Sequence, residues 1–489
     1  MSRAAAPAAS SKSEAVHLEF NLGSRAHSDP IASKAPFRVL VIGDFSGHGA
    51  RDDTAVLNPV RIDVDNFDEV LEHVAPRIEM PGSASALVFH SLEDFHPDHL
   101  FHAVPVFADI AAYAGRTPST ARLPAAPVAA ESEADTLERL LGRTAPAPSE
   151  RVGGIDLDAL LRDAIAAHVV AVPDPNEEAS RRATETTYAA AMRGLLHDPA
   201  FQHREALWRG LHRLVFGHDA GETLEIFILD VNRQGIAAEI ESHRADLRNS
   251  SLYDVLVTRA HGGFGGAGYA LIVCDYAFNA QRDDIELLAG LGALAAHSDA
   301  LLLAAAEPAL LGGTDFSSVQ DPRCWEIPPG EGAVLWQALR ECPQAPWLGL
   351  VMPRVIGRVP YGRRGEPIEV FDFEELRRSP AHADFLWLNG AFACAELLVA
   401  AFAARGWSMQ PGDRLQLGDL PTALYDTDDG VVLKPCAETL LSDAAAAHVT
   451  GLGVMALLCH PARNVVRLAR CQSIASPPTA LAGRWDPVR

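Results

Sequence analysis

Four stretches of this 489-residue chain carry residue types that could do chemistry. Gly43-Asp44-Phe45-Ser46-Gly47 sets a serine between glycines just after an apolar run. A nucleophile elbow needs Gly-x-Ser-x-Gly with serine third, and Ser46 stands fourth. Neither GxGxxG nor a Walker lysine is present, so the stretch reads as a turn closing a buried strand. His261-Gly262-Gly263-Phe264-Gly265-Gly266 could turn backbone N–H groups toward an anion. It leads into a strand, however, whereas a phosphate cradle opens a helix, so a tight approach loop fits better. His90, His96, His99 and His102 raise a metal site. His96 and His99 could share a helix face, but His102 lies two-thirds of a turn further round, and a metal-free segment is expected. Asp426, Asp428 and Asp429 are too sparse for an oxygen-rich cation loop, and Asp429-Gly430 signals a hairpin turn. No nucleophile–base pair or cofactor fingerprint emerges. The expectation is a chain that is not an enzyme and binds no metal or cofactor.

A fifth stretch carries binding chemistry instead. Leu157, Leu160, Leu161, Ala164, Ile165, His168 and Val169 form an apolar stripe at i, i+3, i+4 spacing. Asp156 could cap this helix, and Asp158 with Arg162 forms an i, i+4 pair. Polar chain flanks it on both sides. The stripe either packs on the protein's own fold or enters a partner's groove.

The elements around these stretches alternate. Apolar runs at Phe37–Ile42, Thr223–Asp230, Tyr269–Asp275, Ala300–Ala306, Trp347–Met352, Gly430–Lys434 and Val454–Cys459 read as strands. Shorter strands are expected at Val60–Val64 and Ala86–His90. Helical spacing begins near Asn66 and recurs over Asp283–His297 and Ala383–Arg405, with an amphipathic segment from His99 to Tyr113. Such alternation implies an α/β fold with a mixed, largely parallel sheet and helices on its faces.

Bulk properties narrow the function. The net charge of −23 disfavours nucleic acid and anionic membranes and favours a protein partner or self-assembly. Seven widely spaced cysteines without CxxC read as reduced thiols in a cytosolic protein. No stretch reads as a signal peptide or a membrane span, so a soluble cytoplasmic chain without membrane insertion is expected. Residues 1–35 are expected to be disordered, 36–114 a first module, and 115–152 an Ala/Pro-rich linker. The amphipathic helix then occupies 153–172, the main α/β domain 181–478 and a tail 479–489.

Residues 36–113 resemble the small subunit of the type VI secretion contractile sheath, TssB or VipA. The resemblance rests on Pro36 through Gly47, Val64-Asp65-Asn66-Phe67-Asp68-Glu69-Val70, Ala75-Pro76-Arg77 and Ser91-Leu92-Glu93-Asp94-Phe95. Residues 155–478 resemble the large subunit, TssC or VipB, C-terminally truncated. Here the blocks are Leu207-Trp208-Arg209-Gly210-Leu211-His212, Gly263-Phe264-Gly265-Gly266 with Tyr269 to Val273, Pro353-Arg354, Pro360-Tyr361-Gly362, Phe371-Asp372-Phe373-Glu374-Glu375, Leu386-Trp387 with Asn389, Asp419-Leu420-Pro421 and Thr427-Asp428-Asp429-Gly430.

The resemblance implies a small-subunit-like α/β module fused to a larger α/β sheath domain, acting as a structural sheath component. It implies sheath subunits or self-assembly as partners, with the inner tube protein Hcp, the baseplate and the unfoldase ClpV beyond them. By the same resemblance, Leu157, Leu160, Leu161 and Ile165 correspond to the helix that ClpV recognises. The alternative is a non-polymerising accessory or regulator that binds sheath, baseplate or ClpV.

Overall fold

Phe37-Arg38-Val39-Leu40-Val41-Ile42-Gly43 is apolar at nearly every position, which suits a strand covered on both faces. Phe37, Val39 and Val41 enter one hydrophobic cluster, and Leu40 and Ile42 the other. The computed structural model describes Leu18, Phe20, Leu22 and residues 35–48, 57–79, 86–114, 177–261 (except 219 and 222), 268–314, 322–461 and 463–485.

In chain order the strands are β1 (Phe37–Gly43), β2 (Val60–Ile62), β3 (Arg77–Ile78), β4 (Leu87–Val88), β5 (Leu224–Asp230), β6 (Leu271–Phe278), β7 (Leu301–Ala306) and β8 (Leu348–Met352). There follow β9 (Val355–Ile356), β10 (Trp387–Leu388), β11 (Gln416–Leu417), β12 (Ala423–Thr427), β13 (Gly430–Lys434), β14 (Met455–Cys459) and β15 (Val466–Leu468). The main helices are α1 (Phe67–Val74), α2 (Pro97–Ala103), α3 (Pro105–Ala114), α4 (Glu177–Leu196) and α5 (Pro199–Phe216). After them come α6 (Arg233–Ser242), α7 (Arg282–His297), α8 (Glu331–Glu341), α9 (Gly390–Arg405) and α10 (Asp443–Gly451).

Nine strands form the main sheet in the order β11-β15-β14-β8-β7-β6-β1-β5-β2. The run from β14 to β5 is parallel, and β2, β15 and β11 add antiparallel edges. Helices α1 to α5 and α9 bury side chains in the cluster on one face; α6, α7, α8 and α10 do so on the other. The α/β reading with a mixed, largely parallel sheet holds.

Local chemistry sets the boundaries. Asp198 Oδ1 accepts the N–H groups of Ala200 and Phe201 at 2.9 and 3.0 Å, and Pro199 opens α5. The amphipathic stretch from His99 splits into α2 and α3, because Pro105 cannot continue the hydrogen-bond ladder of α2. Helix α9 begins seven residues later than Ala383. Trp387 and Leu388 form β10 first, and the Asn389 side chain then caps the helix through the Ala391 N–H at 2.8 Å. Helix α9 with its following turn is apolar and long enough to cross a membrane, yet most of it is buried within the fold.

Two stretches outside the expected modules contribute to the core. Leu18 and Leu22, within the N-terminal stretch expected to be disordered, are buried in the second cluster. Leu481, Ala482 and Trp485, in the expected C-terminal tail, are buried too.

Candidate assembly site at the joint of two segments

The first segment is built into the second. Strand β1 lies between β5 and β6, in parallel register with both; Val39 stands opposite Ile226 on one side and Leu271 on the other. Removing β1 would leave two unpaired strand edges facing each other across a gap. Main-chain bonds extend the seam, with Phe37 N–H donating to Thr223 O at 2.8 Å and Val231 N–H to Gly43 O at 3.0 Å.

Side chains lock the same joint. Arg38 Nε donates to Glu225 at 2.9 Å. Beyond β1 the chain turns through Gly47, whose φ of +70° suits glycine, while Asp44 Oδ1 accepts the Gly47 N–H at 3.0 Å. Gly43 to Gly47 is therefore a turn. Its Asp44 also accepts from Arg204 Nη2 at 3.1 Å, and the Ser46 N–H donates to Asp230 Oδ1 at 3.1 Å. Phe45 and Phe67 pack edge-on against Trp208, with centroids 5.2 and 5.9 Å away. Phe89 and Phe95 stack at 4.0 Å and both meet Phe201. Phe101 of α2 sits against Tyr188 and Phe371.

Under this joint lies a buried charge cluster. Arg358 Nε donates to Glu205 at 2.7 Å, and its two terminal nitrogens form a bidentate pair with Glu375 at 2.7 and 2.9 Å. Arg209 also donates to Glu205 at 2.7 Å and to the Tyr361 hydroxyl at 3.1 Å. The Tyr361 N–H donates to Glu375 at 2.7 Å, and its ring lies 4.2 Å below the Arg358 guanidinium. Burial alone would raise the Glu375 carboxyl, but Arg358 overrides it and holds the group at about 2. Burial would likewise lower Arg358; Glu205 and Glu375 keep it charged. A second carboxylate, Glu438, bonds His382 Nε2 and Arg354 Nη2 at 2.7 and 2.6 Å.

Such an arrangement holds the two segments in one shape. The charges neutralise one another, and the aromatic groups fill the seam.

Comparison with known proteins gives this seam a context. Residues 183–475 match the VipB family, described as the EvpB-type tail sheath N-terminal domain. This chain belongs to the VipB tail sheath family. Residues 10–113 match the type VI secretion system VipA family, so the sheath chain joins both kinds of sequence. A curated relative is the type VI secretion system sheath protein TssC1 of Pseudomonas aeruginosa, 29% identical over 306 residues. The alignment covers 60% of the sheath chain and 60% of that relative. The seam therefore joins the VipA-matching segment to the VipB-matching one.

The structure separates the residues singled out in the sheath sequence. Leu157, Leu160, Leu161 and Ile165 lie outside the described residues, as does the glycine loop from Gly262 to Gly266. His96 caps α2, its Nδ1 accepting the Asp98 N–H at 3.2 Å, and its ring meets Tyr361 edge-on. His99 lies 3.7 Å from Asp94. Asp426 and Asp428 pair with Arg364 and Arg378 at the β12–β13 hairpin. Arg358, Glu205 and Glu375 were not singled out as a cluster, since charged residues usually read as solvated surface. Trp208 and Glu375 do stand in the blocks that carry the family resemblance.

Proposed function

We propose that this chain is a structural component of the type VI secretion sheath, a prefused pair of small and large subunit that acts by assembly and not by catalysis. The observation that carries this reading is β1 of the VipA-matching segment seated between β5 and β6 of the VipB-matching segment. The covalent link keeps the two halves at high effective concentration and at one-to-one ratio. The buried Glu205–Arg358–Glu375 set gives a rigid body able to carry load between neighbours. Sheath subunits, or further copies of this chain, are the partners. Hcp along an inner surface, the baseplate at one end and ClpV at Leu157, Leu160, Leu161 and Ile165 complete the proposed set. The location is the cytoplasm.

Electron microscopy of the purified chain, alone and mixed with sheath subunits and tube protein, tests the reading. Tubules containing the chain are expected. Particles that stay monomeric and bind neither component would overturn it.

A further inference from the structure

A cleft of about 670 Å³ opens between the C-terminal part of α4, the loop from Pro360 to Gly365, the stretch from Glu374 to Arg378 and strand β12. Five arginines line it, Arg193, Arg363, Arg364, Arg377 and Arg378, against only Glu374 and Asp426. In a chain of net charge −23 this concentration of cations is out of keeping with the rest of the molecule. Arg363 pairs with Asp372 and Glu374, Arg364 with Asp426 at 2.9 Å, and Arg378 with Asp428 at 3.4 Å. Arg193 donates to the Glu374 carbonyl at 2.8 Å. Arg377 is exposed and has no carboxylate partner among the described residues. Burial, with Arg377 nearby, disfavours the charge on Arg193. An incoming carboxylate would relieve that repulsion.

The same chain carries a complement. Asp65, Asp68, Glu69 and Glu72 follow i, i+3, i+4, i+7 spacing from the turn before α1 through its length, and all four are exposed. None has a cation partner within salt-bridge reach among the described residues. Four unpaired carboxylates on one helical stripe repel one another, and a basic partner removes that cost.

Resting on the assembly reading above, we propose that the acidic stripe of one copy docks at the arginine cleft of a second copy. The two surfaces share no residue, so the contact is heterologous. Repetition of such a contact builds a ring or an open helical array and not a closed symmetric pair.

The test is a charge swap read by analytical ultracentrifugation. One variant carries Arg363→Glu, Arg377→Glu and Arg378→Glu; the other carries Asp68→Arg, Glu69→Arg and Glu72→Arg. Circular dichroism checks that each folds. Wild-type association should weaken as salt rises from ~50 to ~500 mM. Each variant alone should self-associate about tenfold more weakly or worse, because its cleft and stripe then have like sign. An equimolar mixture should regain wild-type association, since every contact between unlike copies again joins opposite charges. Folded variants that associate like wild type, or a mixture that regains nothing, would overturn the pairing and leave self-assembly standing. A wild-type chain that remains monomeric at every concentration and salt would overturn both.

Discussion

Trp208 Nε1 donates to the main-chain carbonyl of Phe45 at 3.2 Å, across 163 residues of sequence. Both residues are fully buried, so this bond ties α5 to the turn that follows β1 where water cannot replace it. Trp208→Phe keeps a ring but leaves that carbonyl without its donor, at a cost of about 1–3 kcal/mol. Trp208→Ala also opens a cavity and should cost about 3–5 kcal/mol. Urea unfolding of the purified variants measures both. Equal losses would mean that the hydrogen bond alone matters, and an unchanged Trp208→Phe that packing alone does.

Cutting the chain between residues 114 and 177 tests the seam directly. The two pieces, expressed together, should co-purify through β1 and its aromatic neighbours. The larger piece alone should aggregate, because β5 and β6 then expose unsatisfied edges. A soluble, monomeric larger piece would show that β1 is dispensable to the sheet.

The Glu205–Arg358–Glu375 cluster makes stability depend on acid. Glu375 sits at about 2 in the fold against an ordinary value of 4.5. The unfolded chain takes up the proton first as pH falls. The contribution is therefore complete above the ordinary value and is lost as pH drops toward 2, with a full size of roughly 3 kcal/mol. Arg358→Met leaves the buried Glu375 carboxylate without its arginine and Glu205 with Arg209 alone, and should cost about 3–5 kcal/mol near neutrality. That variant should recover stability on mild acidification, opposite in sign to the parent. Denaturation curves from pH 3 to pH 7 would reveal a shared slope if the cluster had no such role.

Asp275, at the sheet core, carries the reverse dependence. Burial lifts its carboxyl to about 7, against the pull of Asn389 and Arg204. The folded state then holds a proton that the unfolded state has lost, so stability falls as pH rises from 4 to 7. Asp275→Asn should remove this slope and gain roughly 1–4 kcal/mol on wild type at pH 8 relative to pH 4. Thermal melts at the two pH values decide it.

Much of the element structure was legible because apolar runs announce buried strands. Phe37–Ile42, Thr223–Asp230 and Gly430–Lys434 fall within a residue of β1, β5 and β13. What periodicity omits is neighbourhood. The residues of β1 tell which side chains face each cluster, not that the strand separates β5 from β6. The charge cluster was hidden for a related reason. Glu205 and Arg358 stand 153 residues apart, and neither position is apolar. Gly210 within Leu207–His212 shows its reason only in three dimensions. A Cβ there would lie 2.9 Å from the Phe392 ring, so α5 and α9 can approach only with glycine at this point. The start of α9 was missed because Phe385-Leu386-Trp387-Leu388 is apolar enough to pass for another helical turn, whereas Asn389 caps the helix after it.

The central place of β1 has a consequence during synthesis. Of the described strands this one leaves the ribosome first, yet its parallel neighbours emerge only after residues 115–176 and helices α4 and α5. Until then its backbone donors and acceptors have no sheet to join, and its apolar faces stand exposed. Completion of the core is a late event with long loops to close, which slows folding and lengthens the period of risk. A nascent chain of this kind has reason to depend on a chaperone that shields the first segment until β5 and β6 arrive.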